Sequence, residues 1–143
     1  SIDELLPSLT SAGVRLAFEN LPSWESIPCE SEMETILKRY ATPLIGYWHD
    51  IGHGQIRQNL GFISYRLWLD RLASRLAGFH IHDVAAPARD HLMPPQGNVD
   101  FAGFKTYLKS DMALVIEPAP HTPEADIREG IRVLREVWRL PAS

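Results

Sequence analysis

The sequence is poor in several features that mark particular classes of protein. Cysteine occurs only as Cys29, so no internal disulfide can form. This fits either a reducing compartment, of which we expect the cytoplasm, or a protein indifferent to redox state. The 14 basic residues are outnumbered by 18 acidic ones, and the formal net charge of −4 gives no general attraction for nucleic acid or an anionic membrane surface. No apolar run approaches the ~20 residues of a membrane span, and no signal-like start is visible. A first residue of Ser1 rather than Met suggests a processed, trimmed or partial product.

Strand-like and helix-like segments alternate along the chain. A helical pattern over 1–12 precedes four strand-like stretches. The stretches span 14–21, 44–53, 79–84 and 112–120, and the helical patterns between and after them span 30–41, 62–77, 100–110 and 122–140. The residues from 84 to Asp100 are predicted to form a loop. Strands separated by helices form parallel sheets that helices cover, so we predict a single α/β domain over residues 1–143.

Every predicted strand ends with a polar side chain on the same face of the sheet. Side chains alternate across a strand, and the opposite face is aliphatic or aromatic in three of the four strands. The polar residues are Glu19, Asp50, His80 and Glu117. Because α/β folds build their sites at the carboxyl ends of parallel strands, these four residues predict a shared site.

Three carboxylates directed at one space repel each other unless a cation lies between them. Three oxygen donors and one imidazole suit Mn²⁺, Mg²⁺, Co²⁺ or Zn²⁺, and the sequence does not choose among these ions. Neighbouring strands lie ~4.8 Å apart, so a flat sheet would separate Glu19 from Glu117 by roughly 14 Å. One ion could not be held across that gap. The metal hypothesis therefore requires a sheet curved as in a barrel.

Each of these residues also has a structural explanation when it is taken alone. Glu19 could cap a strand end, Asp50 could form an Asx-turn, and Glu117 could close its strand. Either His80 or His82 could be a hydrogen-bonded core imidazole. The presence of all four residues on one predicted face favours the shared site.

A second group of residues is predicted to contact a substrate. A histidine follows Asp50 by three positions, another lies in the predicted loop, and a tryptophan lies on the inner face of the second strand. With the neighbouring polar residues, the candidates are His53, His82, His91, Arg89 and Trp48. Arg89 ranks below the histidines because loop charges are usually solvated.

Five short motifs carry a resemblance to a known family. They are "FEN" at Glu19, "HDIGH", "FHIHD", "RDHLMPPQGNVDF" and "VIEP" at Glu117, and together they extend over nearly the whole chain. In this order and spacing they resemble the xylose isomerase-like TIM-barrel superfamily, which includes sugar isomerases and epimerases, inosose dehydratases and repair enzymes of the endonuclease IV type. The resemblance implies that Glu19, Asp50, His80 and Glu117 bind a divalent metal.

The same resemblance suggests roles for two of the histidines. The histidine of the Asp-x-x-His motif, here His53, usually contacts substrate or a further metal in the family. The segment "DHLMPPQG" resembles the family's Asp-His-x-Pro-Pro-Gly-x-Gly loop, and His91 takes the place of its histidine. Gln96 departs from the glycine or acid that many members carry nearby.

The resemblance covers only part of the family's barrel. Full members have eight strand–helix units, whereas four are predicted here, so the chain resembles a (β/α)₄ half-barrel that corresponds to strands five to eight. A half-barrel would expose two sheet edges and an apolar face. We therefore expect a homodimer or a separate partner chain to complete the barrel.

The first functional prediction is a metal-dependent sugar or sugar phosphate isomerase or epimerase. Proton transfer next to a carbonyl would proceed through an enediolate, with Glu19 and Glu117 as base and acid. The alternatives are a non-catalytic barrel remnant that binds metal or a small ligand, and a phosphodiesterase of the endonuclease IV type. Net charge and the missing upstream histidines argue against the phosphodiesterase.

Overall fold

A parallel sheet lies at the centre of the fold. A computed structural model describes residues 1–140 of the chain. The strands are β1 (Leu16–Glu19), β2 (Ile45–Asp50), β3 (Leu76–Ile81), β4 (Asp83–Ala85), β5 (Arg89–Leu92) and β6 (Ala113–Ile116). The main sheet has the order β1-β2-β3-β6, and its neighbouring strands all pair in parallel. The predicted α/β fold with a parallel sheet is confirmed.

Helices connect the strands and cover one face of the sheet. They are α1 (Ile2–Ala12), α2 (Glu30–Arg39), α3 (Ile51–Asn59), α4 (Tyr65–Leu72) and α5 (Glu124–Trp138), with 3₁₀ segments at Ala73–Arg75 and Phe101–Tyr107. Local sequence sets several of their ends. Ser1 and Glu4 form a capping box at the start of α1, and Gly13 ends that helix with a left-handed φ of 64°.

The hydrophobic core lies between the sheet and these helices. Tyr47, Phe79 and Ile81 project from the strands and are almost completely buried, and they pack in one cluster with Leu69 of α4 and Leu134 of α5. Burying one such side chain stabilises the fold by about 1.5–3 kcal/mol. The strand side chains that alternate with Tyr47, Phe79 and Ile81 lie on the opposite face of the sheet, where they can form a site.

The end of the second strand differs from the sequence prediction. A strand was expected over 44–53 with Gly52 and Gly54 breaking it, but β2 ends at Asp50 and α3 begins at the next residue. The Asp50 side chain caps the helix by accepting the backbone N–H of His53 at 2.7 Å. The glycines lie inside the helix because both face tightly packed neighbours.

The predicted loop after the third strand contains a short antiparallel hairpin, β4–β5. Asp83 organises this segment: its carboxylate accepts the backbone N–H groups of Val84, Gly97 and Val99 at 2.7–3.0 Å. The Asp83 side chain is buried. Hydrogen bonding to three backbone groups offsets the cost of burying this charge.

The third and fourth predicted helices also differ in extent. The helix expected over 62–77 begins at Tyr65, and Gly78, its expected stop, lies inside β3. The segment expected as a helix over 100–110 is a 3₁₀ helix, although its predicted cap, Asp100, accepts the backbone N–H of Gly103.

Across the described part of the chain, no helix is both long and apolar enough to cross a membrane.

Candidate metal and active site

The register of the sheet brings the four polar strand ends towards one another. Asp50 on β2 pairs with His80 on β3, while Glu19 on β1 pairs with Trp48, two residues before Asp50. On the far side, His80 pairs with Val115, and Glu117 follows two residues later. The site residues therefore advance by two positions at β1 and again at β6, which is the stagger of tilted strands in a barrel wall.

His80 lies at the centre of this group. Its Nδ1 is 2.7 Å from Glu19 Oε1 and 3.9 Å from Asp50 Oδ2, and its Nε2 is 3.5 Å from Glu117 Oε1. One imidazole thus reaches both outer glutamates, which a flat sheet would hold roughly 14 Å apart. The convergence of side chains that the metal hypothesis required is therefore present around His80.

Asp50 offers a buried carboxylate oxygen that accepts no hydrogen bond from the described residues. Its side chain is completely buried, and Oδ1 accepts the His53 N–H and lies 3.1 Å from His82 Nε2. Among residues 1–140, Oδ2 has no hydrogen-bond partner. A buried carboxylate oxygen normally has such a partner, so Oδ2 fits a cation as its missing neighbour.

The donor set around this oxygen suits a divalent ion. Ligand atoms of Glu19, Asp50 and His80 all lie within 4.8 Å of one another. Carboxylate oxygens combined with one imidazole are acceptable to Mn²⁺, Co²⁺ and Zn²⁺. Glu117 lies at the other ring nitrogen of His80, where its carboxylate is grouped with His82 and His91 instead. Its side chain would have to move to join an ion held by Glu19, Asp50 and His80.

The electrostatics keep Asp50 ionised. Burial by itself would raise the pKa of this carboxyl, but the contact with His82 and the nearby His53 outweigh it, and the pKa lies below its ordinary value. Burial also opposes the charged form of His82, yet Asp50 raises the pKa of that imidazole above its usual range. Asp50 is therefore an anion at neutral pH, as a metal ligand must be.

Asn20, the residue after Glu19, fixes the backbone of Asp50. Its side-chain amide accepts the Asp50 N–H at 2.8 Å and donates to the Asp50 carbonyl oxygen at 2.9 Å. The Tyr47 hydroxyl donates to the same Asn20 oxygen at 3.2 Å, and the Asn20 carbonyl lies 3.0 Å from His53 Nδ1. The amide thereby extends the β1–β2 pairing by one step beyond the last strand residue.

Three of the predicted substrate contacts form a second histidine group. The ring centroids of His53 and His82 are 5.6 Å apart, and those of His82 and His91 are 4.2 Å apart with nearly parallel planes. His53 and His91 are partly exposed, but His82 is completely buried. Arg89 is exposed at the start of β5, outside this group.

Trp48 lines a pocket on the inner face of the sheet. The pocket has a volume of about 510 Å³, and its wall includes Glu19, His80 and Arg15. The Trp48 ring meets the His80 ring edge-on at a centroid distance of 4.9 Å and lies against Gly78, where a Cβ would be 2.4 Å from it. A glycine is needed at this position for the tryptophan to lie flat along the sheet.

Two contributors to the site were not among the predicted site residues. Asn20 is recognisable in "FEN" only as a possible strand-end cap, because its bonds to Asp50 join positions 30 residues apart. Gly52 looked like a strand breaker, but a Cβ there would be 1.9 Å from the His82 ring. The roles of Asn20 and Gly52 cannot be recognised from one sequence, because they become visible only when the pairing of β1, β2 and β3 is known.

With this geometry established, comparison with known proteins assigns the fold. Residues 1–137 match the model of the family described as xylose isomerase-like TIM barrel. The chain belongs to this family. Among curated proteins, this xylose isomerase-like chain is 25% identical over 140 residues to an uncharacterized protein of Methanocaldococcus jannaschii, covering 97% of the chain and 52% of that protein.

Solved structures with the same fold include sugar epimerases. A D-tagatose 3-epimerase-like protein superposes with a TM-score of 0.76 at 19% identity, covering 96% of this chain and 52% of its own. D-psicose 3-epimerase from Clostridium cellulolyticum superposes with a TM-score of 0.75 at 15% identity, covering 96% and 54%. The chain thus spans about half the length of these barrels, and the predicted half-barrel fold is confirmed.

Proposed function

We propose that this chain supplies the metal-binding half of a sugar isomerase or epimerase. The observation that carries the proposal is the convergence of Glu19, Asp50 and Glu117 on His80. Among the described residues, the buried Asp50 Oδ2 accepts no hydrogen bond. Membership of the xylose isomerase-like family and the epimerase structures with the same fold support it.

The proposed cofactor is one divalent cation held by Glu19, Asp50, His80 and Glu117. When bound, such an ion supplies Lewis acidity to the carbonyl and hydroxyl oxygens of a sugar. Asp50 is the buried member of the set, whereas the two glutamates are about one-third exposed. The glutamates are therefore the carboxylates that a substrate can reach.

Glu19 and Glu117 are the proposed catalytic residues. They approach His80 from opposite sides, one at each of its ring nitrogens. A sugar bound over His80 would present one face of the carbon next to its carbonyl to each carboxylate. One glutamate removes the proton and the other returns a proton to the opposite face, which inverts that carbon.

The surrounding polar residues are proposed to orient the substrate. His53 and His91 are partly exposed beside the site, and Trp48 provides an apolar wall in the adjoining pocket. Arg89, at the start of the hairpin strand β5, is available to a phosphate or hydroxyl group. These contacts fit a keto-sugar or a sugar phosphate.

A second half-barrel is proposed to complete the pocket. The chain spans about half the length of its structural relatives, and the inner face includes the exposed Val115 on edge strand β6. A second copy of the chain or a separate partner would cover this face. The substrate would then be enclosed between the two halves.

Solvent-proton exchange tests the proposed chemistry directly. The purified chain with Mn²⁺ is incubated with D-tagatose or D-psicose in D₂O, and deuterium next to the carbonyl is measured by mass spectrometry. We expect exchange in the wild type and a loss of about 10²–10⁴-fold in Glu19→Gln and Glu117→Gln, as for removal of a general acid or base. Glu124→Gln, an exposed position on α5, is the matched control and should exchange normally.

Metal content separates the proposal from its alternative. Bound Mn²⁺ without exchange would support a non-catalytic barrel remnant, whereas a wild type that retains no divalent metal would refute the proposed site. Glu117→Gln is expected to lose metal while keeping the fold. Unchanged metal content in that variant would show that Glu117 is not a ligand.

A further inference from the structure

His82 is completely buried at the carboxyl end of β3. One side of its ring lies against Gly52, where a Cβ would come within 1.9 Å of Cε1. The ring also stacks on His91, with centroids 4.2 Å apart and planes 7° apart. The glycine backbone and the second imidazole leave the ring little freedom to rotate.

Both ring nitrogens of His82 face specific neighbours. Nδ1 accepts the backbone N–H of His91 at 3.0 Å, so in the neutral ring the proton is on Nε2. That Nε2 lies 3.1 Å from Asp50 Oδ1, a close contact although the N–H is not aligned with the oxygen for a hydrogen bond. Because Oδ1 faces His82 and the His53 N–H, Oδ2 is directed between the Nδ1 atoms of His53 and His80, at 3.5 and 3.9 Å.

His91 is held in an unusual backbone conformation by the same ring. Its φ of 53° lies in the left-handed region that non-glycine residues rarely adopt. Two hydrogen bonds of 3.0 Å hold the His91 backbone in this conformation. The His91 N–H donates to His82 Nδ1, and the His91 carbonyl oxygen accepts the Ala119 N–H. In this conformation a ring nitrogen of His91 lies within 4.8 Å of possible ligand atoms of both His82 and Glu117.

We infer that His82 is a positioning residue that sets the direction of the Asp50 carboxylate with Nε2 and anchors the His91 loop with Nδ1. It is neither a substrate contact nor a metal ligand. Parallel stacked rings direct their in-plane lone pairs along parallel lines, so His82 and His91 do not converge on one ion. This inference rests on the proposed metal site.

Three substitutions at position 82 separate the two contacts. His82→Phe keeps the ring and its stacking but removes both nitrogens. The amide nitrogen of His82→Gln lies near the position of Nε2 and retains the contact with Asp50, whereas the amide of His82→Asn reaches only the position of Nδ1 and the His91 N–H. The dissociation constant for Mn²⁺ is measured for each variant by isothermal titration calorimetry.

The expected ranking follows from the Asp50 contact. Phe should weaken Mn²⁺ binding by about 10–100-fold, as loss of a partner behind a metal ligand does. Gln should restore most of the affinity, and Asn should bind as weakly as Phe. Leu37→Ala, a substitution at a buried core position of α2, is the control: it should lower the melting temperature without changing the Mn²⁺ dissociation constant.

A second measurement tests the geometry without metal. The ¹⁵N shifts of the imidazole nitrogens should show the Nε2–H tautomer of His82, and an Nδ1–H tautomer would overturn the inference. Equal Mn²⁺ affinity in wild type and His82→Phe would also overturn it while leaving the proposed function intact. A wild type that binds no Mn²⁺ would instead overturn the proposed function, and the positioning role would fall with it.

Discussion

Asn20 shows how a single side chain stabilises the site. Its amide bonds the N–H and the carbonyl oxygen of Asp50, so it acts as an additional residue of β1. A main-chain residue at this point would have to continue the strand, whereas the side chain lets the backbone turn away. The position of Asp50 therefore depends on a residue from the neighbouring strand.

Removing the Asn20 amide should destabilise the fold. In Asn20→Ala, the buried Asp50 N–H loses its acceptor, whereas the Tyr47 hydroxyl keeps His49 Nδ1 as a partner at 2.6 Å. Leaving one buried group unsatisfied costs about 1–3 kcal/mol, and we expect the free energy of unfolding, measured by urea denaturation, to fall by about that amount. The exposed Asn98→Ala should change it by less than about 0.5 kcal/mol, and equal effects of the two substitutions would contradict this account.

His49 gives the chain a pH-dependent stability. It is buried on the core side of β2, where burial lowers the pKa of its imidazole to about 3. The unfolded chain binds a proton at this residue below pH 6.5, but the folded chain does not. The contribution to stability is therefore present above pH 6.5 and is lost as the pH falls towards 3.

Urea denaturation between pH 7 and pH 4.5, with chelator present throughout, measures this loss. Each pH unit below 6.5 should cost up to about 1.4 kcal/mol through His49. His49→Phe removes the titrating group, and its unfolding free energy should therefore fall less steeply over the same interval. Equal pH slopes in the two proteins would show that His49 does not titrate as described.

At the scale of elements, α3 depends on the glycines on its buried side. Gly52 faces the His82 ring, and a Cβ at Gly54 would lie 3.1–3.3 Å from Tyr65 and His49, which is a tight contact. These contacts allow the helix to begin directly after Asp50 and to pack closely against the end of β3. The helix therefore needs both glycines of "DIGHG", Gly52 and Gly54, in order to pack this closely.

Gly52→Ala should damage both stability and metal binding. A Cβ 1.9 Å from the His82 ring forces the ring or the helix to move, and overpacking of this kind costs about 1–3 kcal/mol. Melting temperature and Mn²⁺ affinity should both fall. Gly54→Ala, whose nearest neighbour is 3.1 Å away, should have the smaller effect on both; the reverse order would contradict the packing described.

The sequence predicted the strands and their polar ends better than the connections. Period-two alternation is a local signal, so Glu19, Asp50 and His80 were assigned to one face without knowledge of the pairing. The start of α3 was missed because its glycines are typical of a break. A hydrogen-bonded core imidazole was an open alternative for both His80 and His82, and the structure shows it for His82. The sequence could not choose between them because the burial of His82 depends on Gly52 and His91 from other segments of the chain.

At the scale of the whole molecule, the sheet has two unpaired edges. Strand β1 lies at one edge and β6 at the other, and Leu114 and Val115 of β6 are more than one-third exposed. Exposed edges with apolar residues favour pairing with another chain. The half-barrel alone therefore leaves in solvent a surface that full barrels bury.

Association of the chain should depend on this inner face. Sedimentation velocity of the purified protein is expected to show a concentration-dependent dimer, and Val115→Glu should shift it to monomer by placing a charge on that face. Leu67→Glu, at an exposed position of α4 on the helical side, should leave the dimer unchanged. A folded monomer that stays soluble at every concentration would contradict completion of the barrel by a second copy.

Anomalous diffraction from crystals soaked in Mn²⁺ tests the central claim most directly. The account predicts one anomalous peak per chain at the carboxyl ends of the strands, within coordination distance of Glu19, Asp50 Oδ2, His80 and Glu117. A peak located among His53, His82 and His91, or no peak at Asp50 Oδ2 under saturating Mn²⁺, would contradict it.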